Sequence, residues 1–143
     1  YIHSRFRFEE GAPERDRPLA GQSPYLVNAG LFYQHDDKGI SASLLYNRIG
    51  KRIESVGVPM QNQNEDIPDI YEMPRNSLDL TFSKKIGKVV EIKAGIQDML
   101  NSKIEYKQFV KLADENGGKR EREQLVRSYR PGVDINVGVS LKF

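Results

Sequence analysis

The chain has 143 residues, of which 38% are hydrophobic, a low fraction for a soluble globular protein of this size, and 29% are charged; its mean hydropathy is -0.62. Its 22 basic and 20 acidic side chains leave a formal net charge of +2, so the basic surplus expected of a nucleic-acid-binding protein is absent. The absence of cysteine excludes disulfides and thiolate metal sites. The sequence contains no run of about 18 apolar residues, so no membrane-spanning helix is predicted.

Alternation of apolar and polar residues predicts five strands and no long helix. In chain order they are residues 25–34, 40–49, 76–86, 89–100 and 133–143. In the last segment every odd position from Val133 to Phe143 is apolar, and no even position between them is. Each predicted strand therefore has one apolar face, and the question is what that face contacts.

The connections between these strands alternate between short and long. His35–Gly39 and Lys84–Lys88 read as tight turns, whereas residues 50–74 and 101–128 are polar and are predicted to be long loops. KREREQ, residues 119–124, is predicted to be a solvated loop tip within the second of these loops. Because alternate connections of an up-and-down meander lie at the same end, one end has short turns and the other long loops, as in outer-membrane barrels.

The predicted strands also have the length and the aromatic residues of strands that cross a membrane. A strand of about 10 residues suits a tilted crossing of the hydrocarbon layer. Tyr25, Tyr33, Tyr46 and Phe143 lie at the ends of apolar stripes, where interfacial aromatic girdles occur. The pattern favours an all-β, antiparallel up-and-down meander facing lipid. A soluble ligand-binding barrel or sandwich, with the apolar face inside, remains the alternative.

Several stretches resemble the end of one known family. They are RPLAGQSPYLVNAGLFYQ (residues 17–34), DIYEMPRNSLDLTFSKKIG (69–87), VEIKAGIQDMLNSKIEY (90–106) and the alternating terminal strand that ends in Phe143. In this order, they resemble the C-terminal barrel segment of TonB-dependent outer-membrane receptors. The resemblance covers the chain from about Arg17 to Phe143.

The resemblance implies that residues 1–143 are the C-terminal part of a transmembrane barrel of about 22 strands in the cell outer membrane. The earlier strands and the plug would then lie outside this chain, since five or six strands cannot close such a barrel. The implied function is import of a solute by TonB-dependent active transport. The implied partners are the rest of the barrel and plug, outer-membrane lipid, the TonB complex, the barrel-assembly machinery and a surface lipoprotein, with no nucleic acid. The alternative membrane-protein function is that of a channel without TonB coupling or of a secretion barrel.

Few residues suggest chemistry, and neither a catalytic nor a cofactor site is predicted. Arg5, Arg7 and Tyr71 are candidate ligand contacts in loops or at strand ends, although a solvated strand end is the preferred explanation of the two arginines. His3 and His35 are a weak metal pair, and the acidic groups around Asp36 and Asp69 read as a turn and a solvated loop, so no metal site is predicted. The resemblance implies that the barrel-assembly machinery reads Val137, Val139, Leu141 and Phe143.

Overall fold

A computed structural model describes residues 5–6, 17–58, 67–113 and 119–141 of the chain. Within these ranges every regular element is a strand, as the sequence predicts. The strands are β1 (Arg5–Phe6), β2 (Arg17–Pro18), β3 (Leu26–His35), β4 (Ile40–Ile49), β5 (Arg52–Ser55), β6 (Ile70–Glu72), β7 (Arg75–Ile86), β8 (Val90–Gln97), β9 (Ile104–Ala113), β10 (Lys119–Tyr129) and β11 (Asp134–Leu141). The short strands β1 and β2 pair with each other, and the rest form two larger sheets.

The larger sheet has five strands in the order β11-β8-β7-β4-β3 and belongs to one of two compact units. These are the five strands predicted from alternation, and neighbours in space follow the order of the chain. β8 pairs antiparallel with both β7 and β11. The predicted antiparallel meander is therefore confirmed for these five strands, which form an open sheet whose outermost members are β3 and β11.

Two tight turns lie at one end of this sheet. The first lies within the predicted His35–Gly39, whereas the second occupies residues 87–89, later than the predicted Lys84–Lys88, because β7 continues to Ile86. In the first, the Gly39 N–H donates to the carbonyl of Asp36 at 2.9 Å, and Gly39 has a φ of +60°. The Gly39 carbonyl accepts a hydrogen bond from the Lys85 N–H at 2.7 Å, so this turn is also tied to β7. In the second turn, Gly87 has a φ of +62°. Both positions need the left-handed backbone that glycine adopts without strain.

We expect Gly39→Ala to destabilise the protein more than Gly87→Ala. Both substitutions force alanine into a left-handed conformation, which costs about 1 kcal/mol. A Cβ at position 39 would also lie 2.9 Å from the Cβ and 3.0 Å from the carbonyl oxygen of Lys85, whereas a Cβ at position 87 meets open space. Unfolding free energies of the two variants measure the difference, and equal losses would contradict the close contact.

The second sheet has the order β10-β9-β6-β5 and corrects both long-loop predictions. Residues 50–74 supply β5 and β6, and the larger correction concerns residues 101–128. This stretch, predicted to be a long loop with a solvated tip at residues 119–124, instead supplies β9 and β10, paired antiparallel with a bulge between Leu125 and Arg127. Charged residues have low strand propensity, so β10 does not read as a strand alone. Cross-strand pairs such as Lys107 with Glu123, whose charged atoms are 2.5 Å apart, stabilise it.

The second sheet has buried side chains on both of its faces. Ile53 is 1% exposed and shares a face with Tyr71, whereas Ile104 and Tyr106 are buried on the opposite face, with Glu72. The buried polar residue is Glu72, at 4% exposure, and Arg52 donates to one of its carboxylate oxygens from Nε at 2.8 Å and from Nη2 at 2.6 Å. A buried carboxylate is tolerated because a guanidinium satisfies it.

Candidate functional site

Strand pairing gathers the apolar positions of the five-stranded sheet onto one side, here called the apolar face. Directly paired residues of an antiparallel sheet share a face. Val137 pairs with Ala94, and Ala94 pairs with Phe82. Applied along β7, β8 and β11, this rule gives the following members: Leu80, Phe82, Lys84, Ile86, Val90, Ile92, Ala94, Ile96, Ile135, Val137, Val139 and Leu141.

Polar contacts mark the opposite side of the same sheet. The hydroxyls of Ser41 and Ser83 lie 2.7 Å apart, and Ser43 bonds to Thr81 in the same way. The side-chain amide of Asn47 donates to that of Asn28. Since successive residues of a strand alternate between faces, these contacts place Ile40, Ala42 and Leu44 of β4 on the apolar face. The opposite side is polar along β7, β8 and β11, whereas β3 and β4 also place the exposed Leu26, Phe32 and Leu45 on it.

The apolar face is left uncovered at the β11 edge. Ile135 is 70% exposed, Val137 is 72% exposed, and all eight residues of β11 are classed as exposed. Leu141 is likewise exposed. A strand face that contacts lipid should not be buried under a second layer of the same chain, and neither Ile135 nor Leu141 is buried. Single exposed apolar residues are ordinary on a protein surface, whereas a contiguous row of them, as along β11, is not.

Lys84 is the charged member of the apolar face as defined above, and it lies close to the end with the short turns. Its Nζ donates to the carbonyl of Lys38, in the first turn, at 2.7 Å. A lysine can lay its aliphatic stem along apolar surface while its amine reaches a polar boundary. Its position marks that boundary on the short-turn side of the face.

In the four-stranded sheet, a lysine lies between two aromatic rings. Lys51 Nζ is 3.8 Å from the centre of the Phe109 ring and 4.1 Å from that of Tyr71. The two rings meet edge to face, with centres 5.7 Å apart. Burial lowers the pKa of Lys51, while the nearby carboxylates of Glu121 and Glu123 act in the opposite direction. Tyr71 is thus already engaged by this chain's own cation.

The other side of the same sheet carries a second aromatic and cationic group. Tyr106 and Tyr129 stack with ring centres 6.4 Å apart, and the guanidinium carbon of Arg127 lies 4.2 Å from the Tyr106 ring centre. Burial raises the pKa of Tyr106, and a hydrogen bond with Tyr129 and the charge of Glu72 raise it further. The group packs planar side chains against the sheet and leaves Tyr129 exposed.

We expect Tyr106→Phe to increase resistance to alkaline unfolding. Because the pKa of Tyr106 is raised in the folded state, the folded sheet favours the neutral phenol, whereas the unfolded chain ionises near pH 10. This tyrosine's contribution is intact below about pH 10 and is lost as the pH rises through the raised pKa. Unfolding curves followed by circular dichroism, together with tyrosinate absorbance, test this, and an unchanged alkaline midpoint would contradict it.

The candidate residues chosen from the sequence lie at separate places in the structure. Arg5 lies in β1 and pairs with Pro18, while Arg7 and Phe143 lie outside the described residues. Tyr71 lies in β6, not in a loop. Val137, Val139 and Leu141 lie together on the outermost strand β11, on the apolar face. A role in ligand binding or in barrel assembly remains a prediction for each.

The candidate metal ligands are not brought together in the described part of the chain. His35 Nδ1 accepts a 3.4 Å hydrogen bond from the Lys38 N–H within the first turn, and His3 lies outside the described residues. Asp69 accepts from the Gly57 N–H at 2.7 Å. Among residues that the structure describes, no group of three or more His, Cys, Asp or Glu side chains could hold a metal ion.

Sequence reasoning missed Lys51, Arg52, Glu72, Phe109 and Arg127, which organise the four-stranded sheet. The sequence did contain a signal for strand β10. In residues 119–124, KREREQ, basic and acidic residues alternate from Arg120 to Glu123. Period two in charge predicts a strand as period two in hydropathy does, with cations on one face and anions on the other.

Searches of protein-family models, curated proteins and solved structures returned no significant match to the chain. Within the described ranges, no helix has the length and hydropathy needed to cross a membrane.

Proposed function

We propose that the chain is the C-terminal part of an outer-membrane receptor barrel and that its five-stranded sheet spans the membrane. The observation that carries this proposal is the apolar face of β7, β8 and β11, which is exposed along β11 and at Phe82 and Ile86 of β7, together with the polar opposite face of these three strands. In lipid, apolar side chains need no second protein layer, because acyl chains solvate them, and backbone groups pair between neighbouring strands.

The free edges of the sheet fit the same proposal. β3 and β11 are the outermost strands of the described sheet. An unpaired strand edge is not viable in hydrocarbon, so in the membrane both edges would pair with further strands of a closed barrel of about 22 strands. Those strands, the plug, and contact with the TonB complex are supplied by the rest of the receptor in this proposal.

Import of a solute by TonB-dependent transport follows from the resemblance of residues 17–143 to the receptor family. In this mechanism the sheet provides a lipid-sealed wall, and the segments that leave it opposite the short turns contact the outside. A plug domain and a TonB-contacting segment in the same open reading frame separate this function from a non-TonB channel or secretion barrel.

A cysteine-labelling experiment tests the membrane placement. The chain has no cysteine of its own, so single replacements in the full-length polypeptide can report on accessibility at chosen positions. We expect a membrane-impermeant maleimide to label Glu121→Cys in β10 on intact cells. Asp37→Cys, in the first short turn, should be labelled only after the outer membrane is permeabilised, because the short turns face the periplasm.

The parent polypeptide without an introduced cysteine is the control for labelling elsewhere in the receptor. Recovery of the protein in the soluble fraction, or equal labelling of the two positions on intact cells, would overturn the proposal. A soluble β-barrel would give both of these results.

A further inference from the structure

Two aromatic rings and a lysine meet on one side of the four-stranded sheet. Tyr71 pairs with Ile53 and with Lys107, so these three side chains share that side. Phe109 lies there too, because it is two residues beyond Lys107 along β9. Lys51, just before β5, places its Nζ 3.8 Å from the centre of the Phe109 ring and 4.1 Å from that of Tyr71. The two rings therefore form a site that holds a cation.

Carboxylates of β10 lie on the same side as the rings. Glu123 pairs with Phe109, and Glu121 precedes it by two residues. Both side chains are exposed, and both favour the charged form of the Lys51 amine. Glu123 also contacts Lys107 Nζ at 2.5 Å, so its charge is shared between two lysines. Aromatic faces next to carboxylates are an environment that attracts cations.

The Lys51 ammonium loses hydration in this position. Burial is the largest influence on the pKa of Lys51 and lowers it, so the rings and carboxylates do not fully replace the lost water. A primary ammonium is a compact and strongly hydrated cation, carried here on a flexible stem. Since Lys51 is only half-buried, its amine can turn out to water without opening the sheet. The site can therefore exchange its own lysine for another cation.

A quaternary ammonium group suits two aromatic rings better than a primary ammonium does. It has no N–H group that needs a hydrogen-bond acceptor, and its methyl groups pack on ring surface while its charge attracts the ring faces. The Tyr71 and Phe109 rings meet edge to face with centres 5.7 Å apart, so they present two differently oriented surfaces to one cation.

We propose that the Tyr71–Phe109 pair binds a quaternary ammonium ligand and that Lys51 occupies this site when the ligand is absent. Glu121 and Glu123 would attract the ligand, and Lys51 would compete with it. Each of these residues belongs to the same compact unit. The site therefore does not depend on whether the five-stranded sheet crosses a membrane.

Equilibrium dialysis of radiolabelled choline against the full-length polypeptide tests the proposal. We expect the parent protein to bind choline, and we expect no competition from its neutral isostere, in which carbon replaces the quaternary nitrogen. Lys51→Ala should tighten binding about tenfold if Lys51 fills the site about 90% of the time, because removing it frees the competent state. Phe109→Leu should weaken binding about fivefold in both the parent and the Lys51→Ala protein, because one ring is lost.

Two matched controls separate this site from general effects of charge and aromatic surface. Lys103→Ala removes a lysine that contacts Glu105 at 2.8 Å on the same side of the sheet but does not lie over the rings. It should change choline affinity about twofold at most. Tyr129→Leu removes an aromatic ring that lies near Arg127 on the opposite side, and it should leave choline affinity at the parent's value.

Equal gains in Lys51→Ala and Lys103→Ala would assign the effect to net charge and overturn the proposal. Competition by the neutral isostere, or by Ca²⁺ at comparable concentration, would overturn it in favour of an apolar or a carboxylate site. Absence of choline binding by the parent protein would overturn it as well, even if Lys51→Ala binds. Because the expected effect of Lys51→Ala is a gain of affinity, a variant that fails to fold cannot imitate it.

Discussion

Replacing Val137 with arginine should abolish accumulation of folded protein in the outer membrane. Val137 lies in the middle of β11 on the apolar face and is 72% exposed. On a lipid-facing strand, arginine near the bilayer midplane costs about 2–4 kcal/mol, a large share of a typical folding free energy. Heat-modifiable migration of the full-length polypeptide in membrane fractions measures the folded population.

The Val137→Arg substitution also tests whether lipid or water covers the apolar face. If water covers the apolar face, arginine at so exposed a position should change stability by about 0.5 kcal/mol or less. Ser140→Arg is the matched control, because it adds the same side chain to the same strand on the opposite, polar face. Equal amounts of folded protein in the two variants would refute contact between Val137 and lipid.

Ile53→Ala should unfold the four-stranded sheet, with a loss of about 2–5 kcal/mol. Ile53 is 1% exposed, the most buried of the described apolar side chains, and it shares a face of the sheet with Tyr71. Removing three carbon atoms there leaves a cavity that a small core has few neighbours to fill. Trypsin cleavage within β10, which is rich in arginine, reports opening of this sheet.

Val56→Ala is the comparison for this experiment, because Val56 lies just after β5 and is exposed. It should leave the cleavage rate near that of the parent protein. Slow cleavage in both variants would mean that Ile53 contributes little to the sheet. Fast cleavage in both would mean that the segment around residue 56 matters as much as the core.

The five-stranded sheet was predictable because its strands carry the information locally. Each alternates in hydropathy, and the turns at Gly39 and Gly87 have residues suited to a left-handed backbone. The residues of the apolar face were also predictable from the sequence. Alternation places Phe82, Ala94 and Val137 on the apolar stripes of their strands, and strand pairing then brings these stripes together. What covers that face was not predictable from such a pattern, because lipid and a protein core select the same side chains.

The four-stranded sheet was not predictable in the same way because its stability depends on partners distant in the chain. Glu72 is acceptable in a buried position because Arg52 reaches it, and β10 is a strand because Lys107 contacts Glu123. Tyr71 was singled out by its place beside Pro74, but its environment is set by Lys51 and Phe109. Hydropathy patterns do not encode such cross-strand pairs.

The extra residue in β10 inverts the odd–even phase of that strand. Before it, even-numbered residues such as Arg122 share a side with Val110; after it, the odd-numbered Arg127 pairs with Tyr106 on that same side. If every residue of β10 paired continuously, without the bulge at Val126, Arg127 and Tyr129 would instead lie on the side of the sheet that carries Glu121 and Glu123. The bulge, as much as the composition of the strand, thus decides which charged side chains share a face.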